Sequence, residues 1–277
     1  MKTSVFKTPG SRDSIRARYH EILSAFPFGP RTVQTGFGET FALEAGDPGC
    51  PALVLLHGSC SNSAFWFREI SALSSQYRVL ALDIIGEAGN SEETRPGLDG
   101  DGYADWLGET LDALGVETAA IAGNSLGGWV ALKFAVKYPK RVSRLMLIAS
   151  AGLSGINTDF LGKVNEDAAA KGVMTIDPVV SGGEALPKEV EEFINLILRG
   201  FNPITEELPL FSDAQLAALD MPLLYVAGDN DVLLDTAAAA RRLGRLFPGA
   251  DVRVLKGVGH MVMNAVDYMV PFLTKEG

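Results

Sequence analysis

At 277 residues, with 47% hydrophobic and 21% charged side chains, the chain has the balance of a folded globular protein with room for one large core and an insertion, not that of a disordered or fibrous one. Its 34 acidic residues against 24 lysines and arginines leave a net charge of −10, which repels phosphate backbones and anionic lipid surfaces and argues against nucleic-acid and membrane partners. The longest apolar stretches, around Ala52 to Leu56 and Leu145 to Ala149, are far shorter than the ~18 residues of a membrane span.

The N-terminal stretch MKTSVFKTPGSRDS has no apolar run of the kind a secretory leader needs, so the cytoplasm is the expected location. Ser11 to Phe26 places Ile15, Tyr19, Ile22, Leu23 and Phe26 three and four apart, which predicts an amphipathic helix packed on the outside of the core. From Thr32 the pattern TVQTGFGETFALEAG predicts an antiparallel hairpin. Cys50 and Cys60 flank the strand-like Ala52 to Leu56, too far apart to bridge, and two lone thiols suit a reducing compartment.

A regular alternation follows. Strands are predicted at Ala52 to Leu56, Arg78 to Asp83, Thr118 to Ala122 and Val142 to Ala149. Helices are predicted at Asn62 to Ser75, Asp101 to Leu114 and Leu126 to Tyr138. Such alternation means a parallel sheet covered on both faces. It stops near Gly152 and resumes at Pro222 to Ala227, so residues 153–212 are expected to form a helical cap inserted between core segments 1–152 and 213–277. Within the insertion, Pro187 to Gly200 puts Val190, Phe193, Ile194, Ile197 and Leu198 on one helical face, which either packs on the core or lines a pocket. A helix at Thr236 to Leu246, a strand at Val252 to Leu255 and a helix at Val262 to Leu273 complete the chain.

The chemistry centres on VETAAIAGNSLGGWVALKFA, which holds the G-x-S-x-G pentapeptide Gly123, Asn124, Ser125, Leu126, Gly127. Alone the pentapeptide is weak, but an apolar strand runs into Gly123 and an apolar helix follows Ser125, the strand-turn-helix setting of a nucleophile elbow. Glycines flank such a serine because side chains there would clash across the turn, and the helix N-terminus favours developing negative charge. A phosphate-binding glycine loop is the alternative, but no G-x-x-x-x-G-K-[ST] accompanies it.

Serine needs a base, and only His20, His57 and His260 are available. No two of them have metal-ligand spacing, so no metal site is expected. His260, in KGVGHMV beyond the last strand, fits the order serine, acid, histidine; His57 precedes the serine and reads as structural, and His20 as solvated. The acid belongs at a strand end between Ser125 and His260, where LLYVAGDNDVLLD offers Asp229, Asp231 and Asp235. Asp231 is favoured because the loop has by then turned over the sheet edge, with Asp229 as rival and Asp235 as a helix-starting residue. Two backbone N–H groups should meet the oxyanion: that of Leu126, and, from HGSCSNS, that of Ser59 unless this loop is merely a tight turn.

With these residues placed, the chain resembles the α/β-hydrolase superfamily: HGSCSNS is similar to its oxyanion loop, DIIGEAGNS at Asp83 to Ser91 to its D-x-x-G-x-G-x-S turn with one extra residue, GNSLGG to its elbow, and GDND and GVGH to its acid and histidine loops. Through DIIG, YADWL and the helical N-terminal extension it is most similar to bacterial carboxylesterases of the naproxen-esterase type. The resemblance implies an eight-stranded, mostly parallel sheet flanked by helices, a small helical cap, and hydrolysis of a small-molecule ester without a cofactor. It departs from many relatives after the histidine, where an acidic residue is replaced by Met261, Val262, Met263 and Asn264. The apolar residues Phe160, Met174, Phe193, Ile197 and Phe201 suggest an apolar acyl or alcohol group. A carbon–carbon bond hydrolase or perhydrolase would use the same three residues, and a triad-bearing ligand receptor is the alternative outside catalysis.

Overall fold

The computed structural model describes residues 4–157, 175–183 and 185–275. Eight strands form one sheet: β1 (Gly29–Thr35), β2 (Gly38–Ala45), β3 (Ala52–Leu56), β4 (Arg78–Leu82), β5 (Ala119–Asn124), β6 (Val142–Ile148), β7 (Leu223–Gly228) and β8 (Asp251–Leu255), in the spatial order β1-β2-β4-β3-β5-β6-β7-β8. β1 and β2 form the predicted hairpin, and β2 runs antiparallel to β4. From β4 to β8 every pairing is parallel. Parallel strands need crossovers, and the helices that make them cover both faces.

The pleat sorts β3 between two cores. Leu53 and Leu55 face one, with Val79, Ala81 and Met146; Val54 and Leu56 face the other, with Leu80, Leu82 and Leu147. Helices α3 (Gly102–Ala113) and α4 (Leu126–Lys137) fill the second core through Trp106, Leu107, Trp129 and Phe134. The first is closed by α1 (Pro9–Leu23), α2 (Phe67–Leu73), α5 (Lys188–Gly200) and α8 (Val266–Thr274). Two further helices, α6 (Asp213–Ala217) and α7 (Thr236–Leu246), flank β7 in sequence. No helix among the described residues is long and apolar enough to cross a membrane.

Two elements differ from their predicted form. The helix expected over Asn62 to Ser75 is a 3₁₀ turn at Ser63–Trp66 followed by α2. The last helix starts at Val266 rather than Val262. The N-terminal helix packs on the outside of the core as expected and buries its apolar face: Ile15 and Tyr19 have no exposed surface, and Thr8 caps the helix by accepting the Ser11 N–H at 3.0 Å. Ahead of it, Val5 and Phe6 are each 2% exposed. They pair with the end of α5, where Lys7 donates its N–H to Gly200 O and Asn202 donates to Val5 O, both at 2.9 Å. Amphipathic spacing reports an apolar face without reporting what covers it, and a short segment such as Val5-Phe6 has no periodicity to read.

Glu69 on α2 is 5% exposed, near the Val266 N–H at the start of α8. Burial there raises its carboxyl from the ordinary 4.5 to about 7. Below the ordinary range the group is neutral in both the folded and the unfolded chain. Between that range and about 7 only the unfolded chain ionises, so this residue lowers stability as pH rises through the window, and the loss persists above it. Glu69→Gln is therefore expected to raise the stability measured by urea unfolding at pH 8 by roughly 1–3 kcal/mol, and to change it little at pH 4.

Candidate active site

β5 ends at Asn124 and α4 begins at Leu126, leaving Ser125 alone to turn the chain. It does so at φ 50°, ψ −111°, a left-handed conformation that a non-glycine residue adopts only under constraint from its surroundings. The constraint is close backbone packing. A Cβ on Gly123 would lie 2.3 Å from Gly127 O; one on Gly127, 2.1 Å from Leu56 O; one on Gly128, 2.3 Å from Ser150 Oγ. These three glycines let α4 start against the ends of β3 and β5. The Ser125 backbone is held on both sides, its N–H donating to Ile148 O at 2.9 Å and its carbonyl accepting from Ala151 N at 3.2 Å.

The loop after β3 lies against this turn. A Cβ on Gly58 would be 2.7 Å from Asn124 Oδ1 and 3.5 Å from Ser125 Cβ. His57 is 1% exposed and structural, as expected: Nε2 accepts the Ile84 N–H at 3.0 Å, so Nδ1 carries the proton and donates to Gly58 O at 2.7 Å. Burial lowers its pKa and keeps the ring neutral. His20 is exposed. Both cysteines are free thiols.

At the carboxyl end of β7 three aspartates do three different things. Asp229 accepts the Gly257 N–H at 2.6 Å and so ties down the loop that leads to the histidine. Asp235 caps α7, accepting the Ala238 N–H at 2.8 Å. Asp231 alone meets His260: Oδ2 accepts the Nδ1–H hydrogen bond at 2.8 Å, and Oδ1 accepts Leu233 and Leu234 N–H at 2.8 and 3.0 Å. The Asp231 side chain is completely buried and that of His260 is 10% exposed. This bond fixes the imidazole tautomer and leaves Nε2 as the free ring nitrogen.

Ser125, Asp231 and His260 follow β5, β7 and β8, so all three stand at the carboxyl edge of the parallel sheet. Ser125 Oγ makes no hydrogen bond to any described residue, so the structure joins His260 to Asp231 but does not link either to the serine. Leu126 is the first residue of α4, and its N–H has no acceptor within the helix. Ser59 is exposed. Its neighbour Cys60 donates its N–H to Glu87 Oε2 at 2.9 Å, while no described acceptor takes the Ser59 N–H.

Of the apolar residues expected at a pocket, Phe160 and Met174 lie outside the described residues. Ile197 and Phe201 have no exposed surface and Phe193 is 3% exposed. Phe193 stacks on Phe65 at 5.9 Å and Tyr19 at 6.4 Å, and Phe201 meets Phe6 edge-on at 6.0 Å. All three take the packing role in the core between α1 and α5. The inserted segment also touches the histidine loop: Val180 O accepts the Met261 N–H at 3.1 Å, and a Cβ on Gly259 would be 2.3 Å from Gly182 N.

Sequence reasoning placed Asp83 and Glu87 in the D-x-x-G-type turn but missed that both carboxylates hold the loop after β3. Asp83 is wholly buried and accepts from Ser63 N at 2.8 Å, Ser63 Oγ at 2.6 Å, Tyr19 OH at 3.0 Å and Asn90 N at 2.8 Å. The signal available was acidic residues inside a turn of small residues, Gly86, Ala88 and Gly89, with no solvent-facing pattern around them.

The comparisons with known proteins agree with this architecture. Residues 51–175 match the alpha/beta hydrolase fold family. The chain is 29% identical over 255 residues to carboxylesterase YbfK of Bacillus subtilis, covering 88% of this chain and 86% of that one. It is 31% identical over 256 residues to an uncharacterized carboxylesterase, nap, of the same bacterium, covering 88% and 85%. The crystal structure of carboxylesterase CesB (YbfK) from B. subtilis superposes with a TM-score of 0.82 at 28% identity, over 96% of this chain and 99% of that chain. That of naproxen esterase (carboxylesterase NP) from B. subtilis gives 0.80 at 27%, over 97% and 100%.

The elbow geometry makes a stability prediction. Gly127→Ala, whose methyl group would enter the Leu56 carbonyl, is expected to cost about 2–4 kcal/mol in urea unfolding. Gly97→Ala, with nothing within 4 Å of its Cβ, is expected to change stability by no more than about 0.5 kcal/mol.

Proposed function

Because the chain belongs to the α/β-hydrolase family, we propose that it is a carboxylic ester hydrolase with Ser125 as nucleophile, His260 as general base and Asp231 as the acid that orients the histidine. The observation that carries the proposal is the His260 Nδ1 to Asp231 Oδ2 hydrogen bond, standing on the same sheet edge as a serine held at φ 50°. With Nδ1 committed to Asp231, Nε2 is the nitrogen that takes the Ser125 proton as Oγ attacks the ester carbonyl. The charge that develops on the carbonyl oxygen is met by the N–H groups of Leu126 and Ser59 and by the positive end of α4. The imidazolium then protonates the departing alcohol. An acyl group remains on Ser125, and water activated by the same nitrogen releases the acid.

Phe160 and Met174, the two apolar residues of the insertion that remain as pocket candidates on the sequence reading, favour small to medium apolar esters as the substrate class. The chemistry needs no cofactor: nucleophile, base and electrostatic stabilisation all come from the chain. Because the fold alone supports several reactions on the same three residues, the ester is the part of the proposal that a substrate series tests.

Multiple turnovers of p-nitrophenyl acetate and butyrate are expected, with an organophosphonate adduct on Ser125 by peptide mass analysis; a single slow turnover ending in a stable complex would favour a receptor instead. Asp231→Asn is expected to lower kcat by about 10³–10⁴-fold, whereas Asp229→Asn, which keeps an oxygen for Gly257 N–H, is expected to retain most activity. Wild-type activity in Asp231→Asn would remove Asp231 from the mechanism.

A further inference from the structure

We infer that Glu87 is a positioning residue for the oxyanion loop, holding the Ser59–Cys60 segment so that the Ser59 N–H faces the reacting carbonyl. The inference rests on the proposed function above. Glu87 is 2% exposed. Its Oε2 accepts the Cys60 N–H at 2.9 Å and lies 3.4 Å from Ser59 Oγ. Cys60 sits at φ 56°, a left-handed conformation that is strained for a non-glycine residue and persists only when neighbours hold it. The Glu87 carboxylate is the neighbour that holds it.

The loop is pinned at four places. Gly58 abuts Ser125 on one side, and Glu87 grips Cys60 on the other. Beyond these, Asn62 Nδ2 donates to Ala88 O at 3.1 Å, and Asp83 takes the Ser63 N–H and hydroxyl. Three of the four anchors belong to one turn, Asp83 to Ser91, which therefore acts as a template for the loop. Ser59 lies between the two inner anchors, and the N–H direction of a residue in an irregular loop is set by such flanking contacts.

A carboxylate is a costly choice for this place. Burial raises Glu87 to about 7 even though the Arg95 guanidinium opposes the shift. Arg95 is itself fixed, donating Nε to Gly86 O at 2.9 Å and Nη2 to Asn202 O, with its guanidinium 5.3 Å from the Phe201 ring centroid. Glu87 Oε1 is buried with no hydrogen-bond partner among the described residues. An apolar residue of the same size would pack here at lower cost, so what Glu87 adds is an acceptor of sufficient length at Cys60 N–H.

Three substitutions separate acceptor, reach and charge. Glu87→Gln keeps an acceptor oxygen at the same reach, Glu87→Asp keeps the charge but withdraws it by one methylene, and Glu87→Leu removes the acceptor. With p-nitrophenyl butyrate, Glu87→Asp and Glu87→Leu are expected to lose about 10–100-fold in kcat with KM within about twofold, and Glu87→Gln to stay within about threefold of wild type, since loss of one whole oxyanion donor costs about 10²–10³-fold. The inhibition constant for a trifluoromethyl ketone, which forms an oxyanion on the serine, should rise by the same factor as kcat/KM falls. If Glu87→Leu does not fold, Glu87→Asp decides. Wild-type kcat in Glu87→Asp, equal losses in Asp and Gln, or a kcat loss with unchanged ketone affinity would each overturn the inference. Failure of the underlying reading would look different, because wild-type protein itself would then show no turnover or no adduct on Ser125.

Discussion

The carboxyl edge of this protein depends on one close contact, the start of α4 set against the backbone of β3 and β5. Gly127 approaches the Leu56 carbonyl more nearly than any side chain would permit, and Gly123 faces the Gly127 carbonyl in the same way. That approach forces Ser125 into its left-handed conformation and lifts it out of the sheet at the head of a helix. The consequences spread along the edge. With α4 anchored there, the loop after β3 is brought against Asn124 and Ser125 through Gly58. The turn after β4 is then drawn in to support that loop, with Asp83 and Glu87 supplying the acceptors.

The opposite side of the edge is built by a different device, a division of labour among carboxylates in one loop. Gly228 has no room for a side chain, because a Cβ would meet Val258 O at 1.9 Å, so β7 and the histidine loop run in contact. Asp229 then holds the loop by its Gly257 N–H, and Asp231, fully buried, spends one oxygen on two backbone N–H groups and the other on His260. An aspartate so restrained cannot swing away from the ring, which is the property required of a residue that sets an imidazole tautomer. The chain between β6 and β7 reaches the same place from outside, since Val180 accepts the Met261 N–H next to His260.

Much of this was legible in the residues because it is local. A glycine two before and two after Ser125, between an apolar strand and an apolar helix, can be read as a sharp turn from sterics alone, and the glycine contacts bear that out. The choice of Asp231 over Asp229 rested on how far the loop had travelled, and His260 does meet Asp231. The parallel sheet, its two faces and the opening hairpin followed from periodicity. What periodicity does not carry is the identity of the covering element. The apolar face of α5 pointed first to packing, with a pocket wall as the alternative, and the structure seats Phe193 against Tyr19 and Phe65 and the following Phe201 against Phe6, with Ile197 buried in the same core. Spacing placed Tyr19 on the apolar face of an outer helix but could not show that its hydroxyl reaches 64 residues along the chain to Asp83. Glu87 left only a weak trace, because an acidic residue in a turn of small residues reads the same whether it faces solvent or a backbone N–H.

The account stands on the serine at the elbow and the imidazole held by Asp231 acting on one reacting centre. The most direct measurement is a crystal structure of the protein inactivated with a small alkyl phosphonate. It should show phosphorus bonded to Ser125 Oγ, the phosphonyl oxygen within hydrogen-bond distance of Leu126 N and Ser59 N, and His260 Nε2 turned toward the ester oxygens. A phosphonyl oxygen directed into solvent, or an imidazole that remains out of hydrogen-bond reach of the adduct with Asp231 still in place, would contradict it.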